Sequence, residues 1–284
     1  MQVQQSWQRS AMLNTAPLKV QTKGRERFGT GFFIHYALPD GVVLFLLSNK
    51  HVLEDALSVV AKLHLRETPG KGLHIGIPGG NQVYVSLKNH RDVELEVKNR
   101  MFIHPSADLA CLECSYLVRR NDTVLVPFSQ ARILDWSKSS LFPSQQVMFI
   151  GYPKKIMDMT HNLPVARTGT LASLPELDFD GRSEFLIDGT AWPGSSGSPV
   201  FVAGTGMPGE APFSCIGVVH AHPIFERTIE DLKDSTKKIS FNENPALTLA
   251  TKSTQLLKLL ESSVTSMRER TRTLNSPAAT GGVG

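Results

Sequence analysis

Apolar residues in this chain recur in short runs broken by turn residues, not in long helical stripes. Residues 30–36 and 42–48 are rich in aromatic and β-branched side chains, and Leu38-Pro39-Asp40-Gly41 between them is a turn signal. Similar runs read as strands at 57–65, 82–87, 93–97, 109–112, 146–150, 166–174, 185–188, 199–202, 213–220 and 247–251. Their spacing fits sheets of consecutive strands and lacks the long helices that parallel βαβ units need. Helical periodicity is concentrated at the end. From residue 252 to about 267, Leu256, Leu257, Leu259, Leu260, Val264 and Met267 fall on one broad face. A short helix is expected after His51, through residues 53–57. Pro143 lies in a connector between two halves, and the small, polar, Gly-rich stretch 275–284 predicts disorder.

Composition narrows the function classes. A chain of 284 residues suits one large domain or two small ones, and 41% hydrophobic with 20% charged residues is ordinary for a soluble globular protein. The net charge of +4 comes from scattered positives, so charge gives no support to nucleic-acid binding. The densest basic run, residues 268–272, is broken by Glu269 and reads as a solvated helix end. Residues 1–10 lack the apolar core of a signal peptide, and the apolar run 42–47 is far too short to span a bilayer. The expectation is a soluble, cytoplasmic protein with no membrane partner. Three cysteines, Cys111, Cys114 and Cys215, argue against a disulfide framework. Cys111 and Cys114 have CxxC spacing, but no second pair completes a zinc site. They read as packed core thiols, and neither a metal nor another cofactor is expected.

The chemistry begins at Trp192-Pro193-Gly194-Ser195-Ser196-Gly197-Ser198-Pro199. A nucleophilic serine needs its hydroxyl on a sharp turn and backbone N–H groups aimed at the developing oxyanion. Glycines on both sides permit that turn, and the apolar strand after Pro199 anchors it. Ser195 and Ser198 are rivals on composition. Ser196 is favoured by Gly194 two residues before and Gly197 one after, in which case the N–H groups of Gly194 and Ser196 form the hole. The Gly-x-Ser-x-Gly elbow of α/β-hydrolases does not fit, because Ser198 occupies its last position. A Gly/Ser-rich loop without chemistry is the plain alternative.

A serine hydroxyl is a weak nucleophile until a histidine removes its proton, and a carboxylate fixes the tautomer of that histidine. Nine histidines are present, so context decides. His51 follows an apolar strand and Ser48-Asn49-Lys50, at a strand-to-helix junction. Asp108 opens the apolar strand Leu109-Ala110-Cys111-Leu112, where a carboxylate is costly unless paired. A cap at the strand start is the alternative role for Asp108.

Taken together, Gly29-Thr30-Gly31-Phe32-Phe33, Ser48-Asn49-Lys50-His51-Val52, Asp108-Leu109-Ala110 and Gly194-Ser195-Ser196-Gly197-Ser198-Pro199 resemble the trypsin-like serine peptidases. The closest likeness is to the bacterial, HtrA-like branch. Gly151-Tyr152-Pro153 and Arg167-Thr168-Gly169 match it too, and the likeness covers roughly residues 25–262. The resemblance implies an all-β, chymotrypsin-like fold of two six-stranded antiparallel β-barrels with a C-terminal α-helix. It divides the chain into an N-terminal extension (1–24), an N-terminal barrel carrying His51 and Asp108 (25–142), a C-terminal barrel carrying Ser196 (143–251), a helix (252–272) and a disordered tail (273–284). It also implies a serine endopeptidase acting on protein or peptide substrates. An inert binding or scaffold module on the same fold, or an esterase, are the alternatives.

Departures from the family are informative. Ser195 stands where digestive trypsins carry an Asp that pairs with a freed N-terminus, so activation of that kind is not expected. A preformed site, or one switched by an activating partner, is expected instead. No PDZ-like domain is expected after the protease region. No Asp lies in residues 190–195, which argues against a preference for Lys or Arg. His220 resembles the pocket histidine of glutamyl endopeptidases and viral chymotrypsin-like proteases. With Thr190 it would form a substrate pocket favouring Glu or Gln at P1; a core histidine is the alternative.

Overall fold

The computed structural model describes residues 7–76, 82–138, 140–154, 156–204, 212–221, 225–231, 234–243 and 245–275. The chain opens with helix α1 (Trp7–Asn14), then β1 (Thr15–Gln21), β2 (Glu26–Leu38) and β3 (Gly41–Ser48). A single turn of helix, α2 (Lys50–Leu53), is followed by β4 (Ser58–Arg66), β5 (Leu73–Gly76), β6 (Gln82–Leu95), β7 (Met101–Ile103), β8 (Ala110–Glu113) and β9 (Phe128–Ser129). These form one sheet in the order β5-β6-β4-β1-β2-β3-β8-β7, with β9 alongside β2.

The second half holds β10 (Gln146–Gly151), β11 (Val165–Leu171), β12 (Glu184–Asp188), β13 (Pro199–Ala203), β14 (Phe213–Ala221) and, after a hairpin of β15 (Phe225–Asp231) and β16 (Asp234–Glu243), β17 (Leu247–Lys252). Six of them close into a barrel, β10-β11-β12-β17-β14-β13. Helix α3 (Ser253–Asn275) ends the described chain. The fold is mostly β with a C-terminal helix, as expected, and one barrel has the expected six strands. The N-terminal half differs in having nine strands in its sheet.

Part of that difference comes from residues expected to stand outside the barrels. Strand β1 lies between β2 and β4, with Leu18 opposite Gly29 and Ala61. Ala16, Leu18 and Val20 are buried, so the N-terminal segment is built into the sheet and is not an extension from it. Its helix α1 sends Trp7 against Phe213 in a stacked pair, with ring centroids 4.9 Å apart, and edge-on to Phe201. The runs 82–87 and 93–97 are one long strand, β6. The expected helix at 53–57 is the shorter α2.

Packing follows the sequence pattern closely at β2 and β3. Phe32, Phe33, Ile34, Phe45, Leu46 and Leu47 are all fully buried. Each such side chain contributes about 1.5–3 kcal/mol of transfer free energy. Helix α3 buries Leu256, Leu259, Leu260 and Val264 in the same cluster as Phe32, Cys111 and Phe201, closing the seam between the two halves. All three cysteines are free and buried. Burial pushes the Cys111 and Cys215 thiols up to about 12, far from any reactive range. Among the described residues no helix is long and apolar enough to cross a membrane. The expected tail lies almost wholly outside the described residues.

Candidate active site

The two halves meet at Gly29 on β2. A Cβ there would lie 2.8 Å from the Val52 side chain and 3.2 Å from the Ser196 carbonyl oxygen. The strand is thus wedged between the turn that carries His51 and the turn that carries Ser196. The Thr30 N–H donates to the Ser196 carbonyl at 2.8 Å, and the Ser48 hydroxyl donates to the Thr30 carbonyl at 2.7 Å.

His51 sits in α2, directly after β3. Its Nδ1 is 2.6 Å from Asp108 Oδ2, and its backbone N–H donates to Asp108 Oδ1 at 2.9 Å. Asn49 Nδ2 donates to the Asp108 carbonyl, which pins the residue just before β8. Burial pushes the Asp108 carboxyl up, but the bonds from His51 outweigh it and hold the group below the usual carboxylate value. Such a carboxylate stays ionised and fixes the tautomer with hydrogen on His51 Nδ1, leaving Nε2 as the free base. Arg27 Nη1 donates to the carbonyls of His51 and Glu54, tying α2 to β2.

Of the three serines in the glycine-rich turn, Ser195 is 3% exposed and Ser198 fully buried, whereas Ser196 is half-buried. Ser196 is thus the one serine of this turn that is not buried. Among the described hydrogen bonds none joins it to His51 Nε2, a contact that commonly tightens only when substrate binds.

The backbone of the turn is anchored peptide by peptide. The Pro193 carbonyl accepts from the Lys154 N–H at 2.8 Å, and the Ser195 carbonyl from the Ser198 N–H at 3.0 Å. A trans peptide points its N–H opposite its carbonyl. The two bonds therefore turn the Gly194 and Ser196 N–H groups the other way, and among the described residues neither has an acceptor. Between them, the Gly194 carbonyl accepts from Thr30 Oγ1 at 3.0 Å, and the same hydroxyl accepts from the Tyr152 N–H at 2.9 Å. Gly194 has φ +98°, and a Cβ on it would lie 2.6 Å from the Tyr152 oxygen and 2.8 Å from the Lys154 nitrogen. Only glycine fits there.

The expected substrate-pocket residues are Thr190 and His220. Thr190 lies half-buried at the mouth of the turn, beside buried Ala191. The pairing of β14 with β17 shifts register between Val219 and Ala221, and a bulge of this kind re-aims the residue inside it. The His220 ring is held between two carboxylates, with Nδ1 4.0 Å from Asp108 Oδ2 and Nε2 3.3 Å from Glu184 Oε1. Nothing in the sequence around Glu184 marked it for this place. The neighbouring His222 lies outside the described residues. Among the described residues no cluster of His, Cys, Asp and Glu is arranged to hold a metal ion.

A nine-stranded sheet and a closed six-stranded barrel meeting at a His–Asp pair and a glycine-bounded serine define a two-halved, chymotrypsin-like architecture. Residues 29–206 match the family model of the trypsin-like peptidase domain, and the chain belongs to that family. Among solved structures it is similar to the HtrA-type protease AlgW with a tripeptide, at 15% identity and a TM-score of 0.51. That match covers 90% of this chain and 63% of the AlgW chain, so this chain spans less than two thirds of its length. A serine endoprotease from Yersinia pestis matches at 13% identity and a TM-score of 0.49, over 93% of this chain and 68% of that one. A search of curated proteins finds no match.

Proposed function

We propose that this protein is a serine endopeptidase with Ser196 as nucleophile, His51 as general base and Asp108 as the carboxylate that orients it. The observation that carries this reading is the His51–Asp108 pair at 2.6 Å, next to a turn whose peptides leave the Gly194 and Ser196 N–H groups unpaired. In the first half-reaction Ser196 Oγ attacks the scissile carbonyl and its proton passes to His51 Nε2. The oxyanion is held by the Gly194 and Ser196 N–H groups. The intermediate collapses, the C–N bond breaks, and His51 returns the proton to the leaving amine. Water, deprotonated by His51, then cleaves the acyl-enzyme and regenerates the Ser196 hydroxyl.

The anchored peptides favour a site that stands assembled without an activating partner. Substrates are proteins or peptides, by family. The contacts of His220 weigh against the Glu half of the Glu-or-Gln preference, because a P1 carboxylate there would be a third negative charge beside Asp108 and Glu184. The test is hydrolysis of an unfolded protein and of a peptide library varied at P1, by wild type and by Ser196→Ala, His51→Ala and Asp108→Asn. Cleavage by wild type that collapses in all three variants supports the reading. Full activity in Ser196→Ala contradicts it, and cleavage predominantly after Glu would contradict the P1 statement.

A further inference from the structure

The catalytic reading leaves one buried ionisable group without a task. His220 has a side chain only 10% exposed, yet it is no ordinary core histidine. One ring nitrogen faces Asp108 Oδ2, the oxygen that also receives His51 Nδ1. The other faces Glu184, itself 13% exposed, whose second oxygen is 3.4 Å from Arg182 Nε. A line of groups thus runs from the barrel surface to the site: Arg182, Glu184, His220, Asp108, His51.

The strands explain how the line forms. Glu184 begins β12 and pairs with Thr251 on β17, and Thr251 pairs with Val218 on β14. Three neighbouring strands therefore bring Glu184 and His220 to one rim of the barrel. The bulge at His220 turns its ring off the regular alternation toward Asp108. Neither ring nitrogen is close enough to Asp108 or aligned well enough with Glu184 to make a hydrogen bond, and His220 Nε2, Glu184 Oε2 and Thr251 Oγ1 have no such partner among the described residues. Three buried polar atoms without hydrogen-bond partners among the described residues, in one cluster behind the orienting carboxylate, need a reason.

We propose, on the triad reading above, that His220 is a positioning residue that walls Asp108 off from water and holds it toward His51, and that Glu184 sets the charge His220 carries. Burial lowers the His220 proton affinity, and the Glu184 and Asp108 carboxylates work against that, with His51 and Arg182 as the opposing positive groups. The net direction is downward, so the ring is neutral while the site works. In acid the ring takes a proton between two carboxylates, and the imidazolium competes with His51 for Asp108 Oδ2. The groups around His51 itself are Asp108, His220, the guanidinium of Arg27 and the Lys50–Glu54 pair.

The experiment measures kcat, KM and the pH profile of kcat/KM for wild type, Glu184→Gln and His220→Asn, each normalised to active sites titrated with a fluorophosphonate. Normalisation removes any fraction that fails to fold. In Glu184→Gln the His220 imidazole loses the carboxylate that favours its charged form, so the acid limb moves to lower pH by about half a unit. In His220→Asn kcat per active site falls about tenfold with little change in KM, because the carboxylate is misplaced while substrate contacts remain. An unmoved acid limb in Glu184→Gln, or a kcat in His220→Asn within about twofold of wild type, overturns the proposal. Asp108→Asn runs alongside. If it keeps wild-type kcat, the triad reading is what fails, and the role given to His220 goes with it.

Discussion

Thr30 makes the most demanding test of the anchored turn. Its single hydroxyl donates to the Gly194 carbonyl and accepts from the buried Tyr152 N–H, and the residue is fully buried. Thr30→Val keeps the outline of the side chain and removes both bonds. A buried donor or acceptor left unpaired costs about 1–3 kcal/mol, so two together should lower stability by about 2–5 kcal/mol. The larger consequence is local. Without that bond the peptide between Gly194 and Ser195 is held only through its Ser195 N–H, which donates to the Trp192 carbonyl at 2.9 Å, and the loosened peptide disturbs the two N–H groups flanking it. Loss of one oxyanion donor costs about 10²–10³ in kcat, so partial loss of alignment should reduce the acylation rate about ten- to a hundredfold. Thr30→Ser keeps the hydroxyl and should restore most of that rate, although it loses a methyl group from the core. Denaturant unfolding, with an unchanged m-value, reads the stability term, and pre-steady-state labelling with an activated ester reads acylation per folded molecule. The reasoning is refuted if Thr30→Val acylates at the wild-type rate, or if Thr30→Ser is as slow as Thr30→Val.

Three further outcomes are expected. Asp108→Asn should lower kcat about 10⁴-fold with the fold intact, since an amide can present the wrong tautomer partner to His51 Nδ1; circular dichroism with kinetics checks this. Trp7→Ala should cost about 3 kcal/mol by thermal or chemical unfolding, because the stacked pair with Phe213 and the edge contact with Phe201 are lost together. Stability should also fall with acidity. Burial lowers the proton affinity of His35, His64, His104 and His220 from the ordinary value of 6.5. The unfolded chain therefore binds more protons at these sites below about pH 6.5, and their contribution is complete above that value and lost progressively beneath it. Melting temperatures from pH 5 to 8 check the sign, and a midpoint that rises on acidification would reverse it.

The proposed site was legible where its chemistry is local. Ser196 is marked by the glycines around it, His51 by its place after an apolar strand, and Asp108 by its cost at the head of one. The strands β2 and β3 were equally plain as continuous apolar runs buried on both faces, and α3 was plain because burial on one face writes a helical period into the sequence. What could not be read depends on partners distant in the chain. In Thr15–Gln21 a proline and a lysine interrupt the run, and it is a strand because β2 and β4 flank it on both sides. In the β15–β16 hairpin charged residues are interspersed with only Phe225, Ile229, Ile239 and Phe241, too few apolar positions to mark two strands. The contacts of His220 with Asp108 and Glu184 were not legible either, because a one-residue bulge re-aims its side chain, and only the pairing with β17 fixes where that bulge falls.

The most direct measurement is labelling of the wild-type protein with a fluorophosphonate, followed by peptide mapping of the adduct, with Ser195→Ala and Ser196→Ala beside it. The account predicts one adduct, on Ser196, present in wild type and Ser195→Ala and absent from Ser196→Ala. An adduct on Ser195 or Ser198, or a wild-type protein that takes none while folded, would contradict it.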